Sequence, residues 1–110
     1  MAIITSIEER LTAVQTNIAA ACERVERNAA EVRIVGVTKT HPASIVKETF
    51  NAGLVDFGEN RAQELLPKAV EIEAMGLTPR WHFVGHLQRN KVSQVLTRIS
   101  ALHSLDSIRL

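Results

Sequence analysis

From residue 32 onward the chain alternates short β-branched runs with stretches of helical period, and that rhythm constrains its fold more than any other feature. Val32-Arg33-Ile34-Val35-Gly36-Val37-Thr38 is too short for a buried helix and is bounded by polar residues, so it reads as a strand. Residues 54–58, 80–86 and 101–106 read the same way. Between them, Pro42 suits the first turn of a helix that carries Ile45, Val46, Thr49 and Phe50 on one face and stops at Gly53. Residues 61–75 form a second helical stretch closed by Gly76, and residues 90–99 a third. Pro67 lies inside the second and lacks the N–H that would bond one turn back, so a kink or two abutting helices is expected there. Upstream, Ile7, Leu11, Val14, Ile18, Cys22 and Val25 recur at steps of three and four, the mark of a long amphipathic helix over 6–27. Ser6 with Glu9, or Thr5 with Glu8, supplies its capping box.

After that first helix the order is βαβαβαβ without tight hairpin signals, which implies an α/β fold with parallel strands joined by right-handed crossovers. Four βα units are half of an eight-stranded (β/α)8 barrel of the TIM type, which takes about 250 residues. At 110 residues the chain is expected to be one partial domain, 1–110, truncated where Asp106 or Ser107 would cap a further helix. The alternative is a four-stranded open sheet, which leaves two unpaired edges and an apolar face with few helices to cover it.

Thirteen Lys and Arg against twelve Asp and Glu leave a formal charge of +1, so no global pull toward nucleic acid or a membrane surface is implied. With only Trp81, three Phe and no Tyr, aromatic and basic residues do not interleave as they do where bases are stacked. No apolar run approaches the ~20 residues of a membrane span. Glu8 and Glu9 interrupt any secretory leader, and the single Cys22, in a helical pattern beside Ala20 and Ala21, reads as a packing residue. The expected location is the cytoplasm.

Lys39 ends the first strand just before Pro42, and a charge at the tip of a buried strand is costly unless it has a task. In α/β folds ligands bind beyond the carboxyl ends of the strands. A neutral lysine amine attacks an aldehyde to form a Schiff base, and a partly apolar pocket would lower its pKa enough to favour that form. The bland reading is a solvated lysine whose stem packs on the rim. Gly58-Glu59-Asn60 follows the second strand at the same end. Asn60 either contacts a ligand or caps its helix, and capping alone explains it. Glu59 reads as a solvated loop carboxylate or a salt-bridge partner.

His82 and His86 share the spacing of a metalloprotease helix but lack its glutamate. On a strand they lie about 13 Å apart at ~3.3 Å per residue, too far for one zinc ion, so no metal site is expected. His82 reads as core or packing, whereas His86 is placed to pack against a ligand ring. Gln88, Arg89 and Lys91 read as a solvated helix start, and no glycine-rich dinucleotide fingerprint or P-loop is present.

Taken together, Val35-Gly36-Val37-Thr38-Lys39-Thr40, Phe57-Gly58-Glu59-Asn60, Trp81-His82-Phe83-Val84-Gly85-His86-Leu87-Gln88 with Asn90-Lys91, and His103-Ser104-Leu105-Asp106-Ser107 resemble one family, the YggS-like pyridoxal phosphate homeostasis proteins. The resemblance runs over nearly the whole chain. It implies the N-terminal half of a fold-type-III pyridoxal phosphate barrel, similar to the N-terminal domain of alanine racemases, that holds pyridoxal 5'-phosphate as an aldimine. By that matching Lys39 is the aldimine lysine, and Asn60 and His86 line the cofactor side.

The implied role is a carrier or regulator of pyridoxal phosphate supply without established turnover, meeting amino acids or pyridoxal phosphate-dependent apoenzymes. The alternatives are a pyridoxal phosphate enzyme of racemase or decarboxylase type and a truncated remnant without function. A two-base racemase of this fold would look to a tyrosine, and the chain has none. The phosphate grip after strands seven and eight and the partner of the pyridine nitrogen would lie past Leu110, so weak cofactor retention is expected, with self-association through exposed barrel edges.

Overall fold

The computed structural model describes residues 6–85 and 87–103. Its first element is α1 (Ile7–Arg24), where Ser6 caps the helix by accepting a hydrogen bond from the Glu9 N–H, which decides between the two starts the sequence allowed. Leu11 and Cys22 are its buried residues. A 3-10 turn at Ala29–Glu31 leads into β1 (Gly36–Val37), then α2 (Ala43–Asn51), β2 (Asp56–Glu59), α3 (Ala62–Ala74), β3 (Arg80–Phe83), α4 (Val92–Leu96) and β4 (Ile99–Leu102). This is the βαβαβαβ order read from the sequence.

All strand pairs are parallel and the sheet order is β1-β2-β3-β4. A sequential order without reversal lets each helix return the chain to the next position on the same side, as in a barrel and unlike a doubly wound sheet. Phe57 and Trp81 pair in register on the helix-facing side, with ring centroids 6.0 Å apart. Around them Val46, Leu65, Ile72, Phe83 and Val95 are fully buried, each contributing about 1.5–3 kcal/mol of apolar burial. On the opposite face Gly58 sits among Val35, Val37 and Val84.

Several boundaries differ from the sequence reading. The β-branched run at 32–38 forms ladder pairs only at Gly36 and Val37, opposite Phe57 and Gly58 of β2. The third strand ends at Phe83, and the fourth begins two residues early, at Ile99. Residues 104–106 of the expected fourth strand and the helix start expected beyond it lie outside the described residues. Pro67 neither divides nor ends α3, which runs as one helix from Ala62 to Ala74. Near the first turns of a helix a proline forfeits one backbone bond, and the buried stripe Ala62, Leu65, Ala69 and Ile72 holds the rest in place.

The amino ends of β2 and β3 are joined by charge. Asp56 opposes Arg80 in register and takes a bidentate pair of hydrogen bonds from it, both 2.9 Å. It also bonds the His82 ring at 2.9 Å, and Arg33 lies 3.7 Å from its second oxygen. His82 in turn meets His103 beyond β4 at 2.9 Å, so one of those two nitrogens carries the shared proton. His82 is buried, the packing residue its sequence position implied. The Arg80 guanidinium, opposed by burial and helped by His82, Arg33 and further Arg80 charge, holds the Asp56 carboxyl at about 2, below its ordinary 3.8.

A depressed carboxylate pKa stabilises the fold above the unfolded value and loses that contribution as pH falls through the folded one. Between about pH 4 and pH 2 the wild-type chain should therefore lose about 2 kcal/mol through this group. Asp56→Asn should flatten that part of the curve. Denaturant midpoints across this range check it, and identical slopes in both proteins would contradict the assignment.

Candidate functional site

The carboxyl ends of β1 and β2 bring Lys39 and Asn60 to one place. Val37 pairs with Gly58, and the Thr38 N–H donates to the Gly58 carbonyl at 3.0 Å. Lys39 and Asn60 thus each lie two residues beyond a paired position, at the same height past the sheet. After Lys39 the chain turns sharply, with the His41 N–H bonded to the Thr38 carbonyl at 3.0 Å, and enters α2 behind Pro42. Lys39 is exposed, and among the described residues its amine has no hydrogen-bond or ion-pair partner.

Asn60 does not cap α3. Arg61 occupies the cap position with extended backbone angles and no side-chain cap bond, so the helix starts one residue later than helix-capping chemistry at Asn60 requires. The Asn60 Oδ1 is buried with no hydrogen-bond partner among the described residues. An acceptor left in that state costs roughly 1–3 kcal/mol and is relieved by any ligand that brings a hydroxyl or N–H donor. Gly85 explains why the side chain sits where it does: a Cβ there would lie 2.7 Å from both the Cβ and the carbonyl oxygen of Asn60. Only glycine lets the end of β3 approach Asn60 so closely. His86, the other residue assigned to this side, lies outside the described residues.

Behind Lys39 stands a buried charge pair the sequence reading did not find. Glu59 is wholly buried at the end of β2 and accepts a hydrogen bond from Lys68 of α3, itself 6% exposed. Glu59 is therefore the salt-bridge partner that was one of its two readings, and not a solvated loop carboxylate. Its position in the last strand residue points it at the helix layer. Lys68 also donates to the Thr38 carbonyl at 2.9 Å. One turn earlier on α3, Glu64 accepts from the Thr40 N–H. Burial pushes the Glu59 carboxyl above the ordinary range, against the pull of the Lys68 ammonium.

A signal for Lys68 existed. It falls in the stripe Leu65, Lys68, Ala69, Ile72, so a helix that buries this face must bury a lysine and supply an acid for it. Glu64 has no comparable signal, since an acid in the first turn of a helix is ordinary. Among the described residues no group of three His, Cys, Asp or Glu side chains is arranged to hold a metal ion, and no helix is long and apolar enough to cross a membrane.

No protein-family model matches the chain. Curated relatives do. The chain is 41% identical over 98 residues to the pyridoxal phosphate homeostasis protein of Aquifex aeolicus, covering 89% of this chain and 42% of that one. It is 36% identical over 108 residues to the protein of the same name in Escherichia coli K12, covering 97% and 46%. A human protein of that name is 39% identical over 106 residues, covering 91% and 38%. The fold matches PipY of Synechococcus elongatus, solved with pyridoxal phosphate bound, at a TM-score of 0.77 and 32% identity over 93% of this chain and 43% of PipY. The chain spans about half the length of the curated relatives it matches.

The contact between Gly85 and Asn60 gives a direct test of the site's architecture. Gly85→Ala should drive the strand ends apart and cost about 1–3 kcal/mol as an overpacking change. Thermal unfolding measures it; a variant as stable as the wild type would show that the approach is not required.

Proposed function

We propose that this chain, homologous to the pyridoxal phosphate homeostasis proteins over about half their length, binds pyridoxal 5'-phosphate at the carboxyl ends of β1 and β2 as part of a (β/α)8 barrel and serves in cofactor homeostasis. The observation that carries the reading is the placing at one sheet end of an exposed Lys39 amine and a buried Asn60 oxygen, both without a partner among the described residues. Both suit this cofactor: an aldehyde needs a free amine, and a ring hydroxyl supplies the donor that Asn60 lacks.

When bound, the cofactor supplies an electrophilic aldehyde and an electron-withdrawing ring. The chain's own residues supply attachment and orientation. Lys39 would hold the cofactor through its side-chain amine, the group with which an aldehyde condenses with release of water. Asn60 Oδ1 accepts a hydrogen bond from the ligand's rim. His86 belongs to this reading as a residue packing beside the ring. Amino acids or apoenzymes as receivers of the cofactor, a cytoplasmic setting, and self-association through the outer edges of β1 and β4 belong to it as well.

Because Lys39 stands open to water, covalent attachment is expected to outweigh non-covalent grip. Adding pyridoxal phosphate should produce visible absorbance, and borohydride reduction followed by peptide mapping should place the label on Lys39. Gel filtration before reduction should remove most of it. Lys39→Ala should abolish the label while leaving the fold unchanged, since the side chain is exposed and makes no hydrogen bond or ion pair among the described residues. Label on another lysine in the wild-type chain would overturn the reading.

A further inference from the structure

We propose that Glu64 and Lys68 of α3, backed by Glu59, are positioning residues for Lys39, clamping the peptide groups on either side of it; this rests on Lys39 being the attachment point. Lys68 donates to the carbonyl of Thr38, the residue before Lys39. Glu64 accepts from the N–H of Thr40, the residue after it. The two clamp residues are four apart on one helix and so share a face, and each takes hold of one side of the same turn.

Both contacts are expensive, and the expense falls on these two peptides. Thr40 has φ +66°, a left-handed conformation that costs an L-residue roughly 1–2 kcal/mol and is rare for a β-branched one. Such a residue persists only where its surroundings hold it there. The Glu64 carboxylate does so by capturing the N–H that the twisted backbone presents. A buried ion pair such as Glu59–Lys68 is a poor source of stability compared with apolar packing, because desolvation offsets most of the attraction. Its ammonium is put to a further use, holding the Thr38 carbonyl. With both flanking peptides fixed, the Cα–Cβ direction of Lys39 is fixed, and a flexible four-carbon side chain explores only the space above the strand ends. Without the clamp Thr40 relaxes to φ < 0 and the turn carries Lys39 elsewhere.

A purely structural strut predicts lost stability with unchanged chemistry; a positioning clamp predicts the reverse. The experiment titrates the 110-residue chain with pyridoxal phosphate, reads visible absorbance, fixes the product with borohydride and maps the labelled peptide, alongside circular-dichroism melting. Glu64→Ala removes a partly exposed acceptor and should raise the cofactor concentration for half-maximal Lys39 label about tenfold, the scale of the freed left-handed strain. Glu64→Gln keeps an acceptor oxygen and should stay near the wild type. The double variant Glu59→Leu with Lys68→Met replaces the buried pair by apolar residues, which leaves neither a charge nor a buried amide unpaired, and should show the same loss as Glu64→Ala with melting little changed. If folded Glu64→Ala and the double variant label Lys39 as readily as wild type, or if Glu64→Gln fails as badly as Glu64→Ala, the clamp is overturned. Should the wild type itself leave Lys39 unlabelled, the attachment reading fails and the clamp with it.

Discussion

The Lys68 ammonium joins three elements at one point. It belongs to α3, pairs with a carboxylate of β2 and bonds a carbonyl at the end of β1. Removing either charge alone would strand the other in a wholly buried place, at a cost of about 3–5 kcal/mol. Apolar packing tolerates small slides of a helix over a sheet, whereas a buried ammonium with two named acceptors does not. The register of α3 over the sheet end follows from it. So does the path of residues 38–40, since the carbonyl of Thr38 is held as soon as α3 docks.

The two ends of the sheet are built on opposite principles. At the amino end Asp56 has all its acceptor capacity met by Arg80, His82 and Arg33, and that end is satisfied and tied together. At the carboxyl end an acceptor on Asn60 goes unmet and a lysine stands in solvent. In parallel α/β folds stability is invested at the amino end and ligand chemistry at the carboxyl end, and the division here follows that rule within four strands. The strained Thr40 and the close approach of Gly85 to Asn60 also fall on the carboxyl side.

The alternation of elements was legible because period two and period 3.6 leave different marks, and the strands are short and β-branched. Element ends were less so. The run at 32–38 is largely β-branched, yet only Gly36 and Val37 pair with β2, a limit that local sequence does not mark. Pro67 misled for a related reason: local sequence registers the missing N–H but not the buried stripe that holds α3 together around it. Lys39 was legible as a charge at a strand tip. The Asn60 assignment as a helix cap failed because capping and ligand contact call for the same side chain, and only the extended conformation of Arg61 separates them. Lys68 left a trace in its helical stripe, but naming Glu59 as its partner needs the crossover geometry that brings α3 over β2.

Two lysines lie at the Thr38 segment, and they differ in burial and in partners. A lysine attacks a carbonyl with its lone pair, which requires a neutral, accessible nitrogen. Lys68 is buried, charge-paired with Glu59 and bonded to the Thr38 carbonyl, so its nitrogen is neither accessible nor free of a counter-charge. Lys39 bears none of these commitments: its side chain is exposed, and among the described residues its amine has no hydrogen-bond or ion-pair partner. The fold thus gives the two lysines opposite surroundings, with Lys68 holding the backbone of the strand end and Lys39 exposed just beyond it.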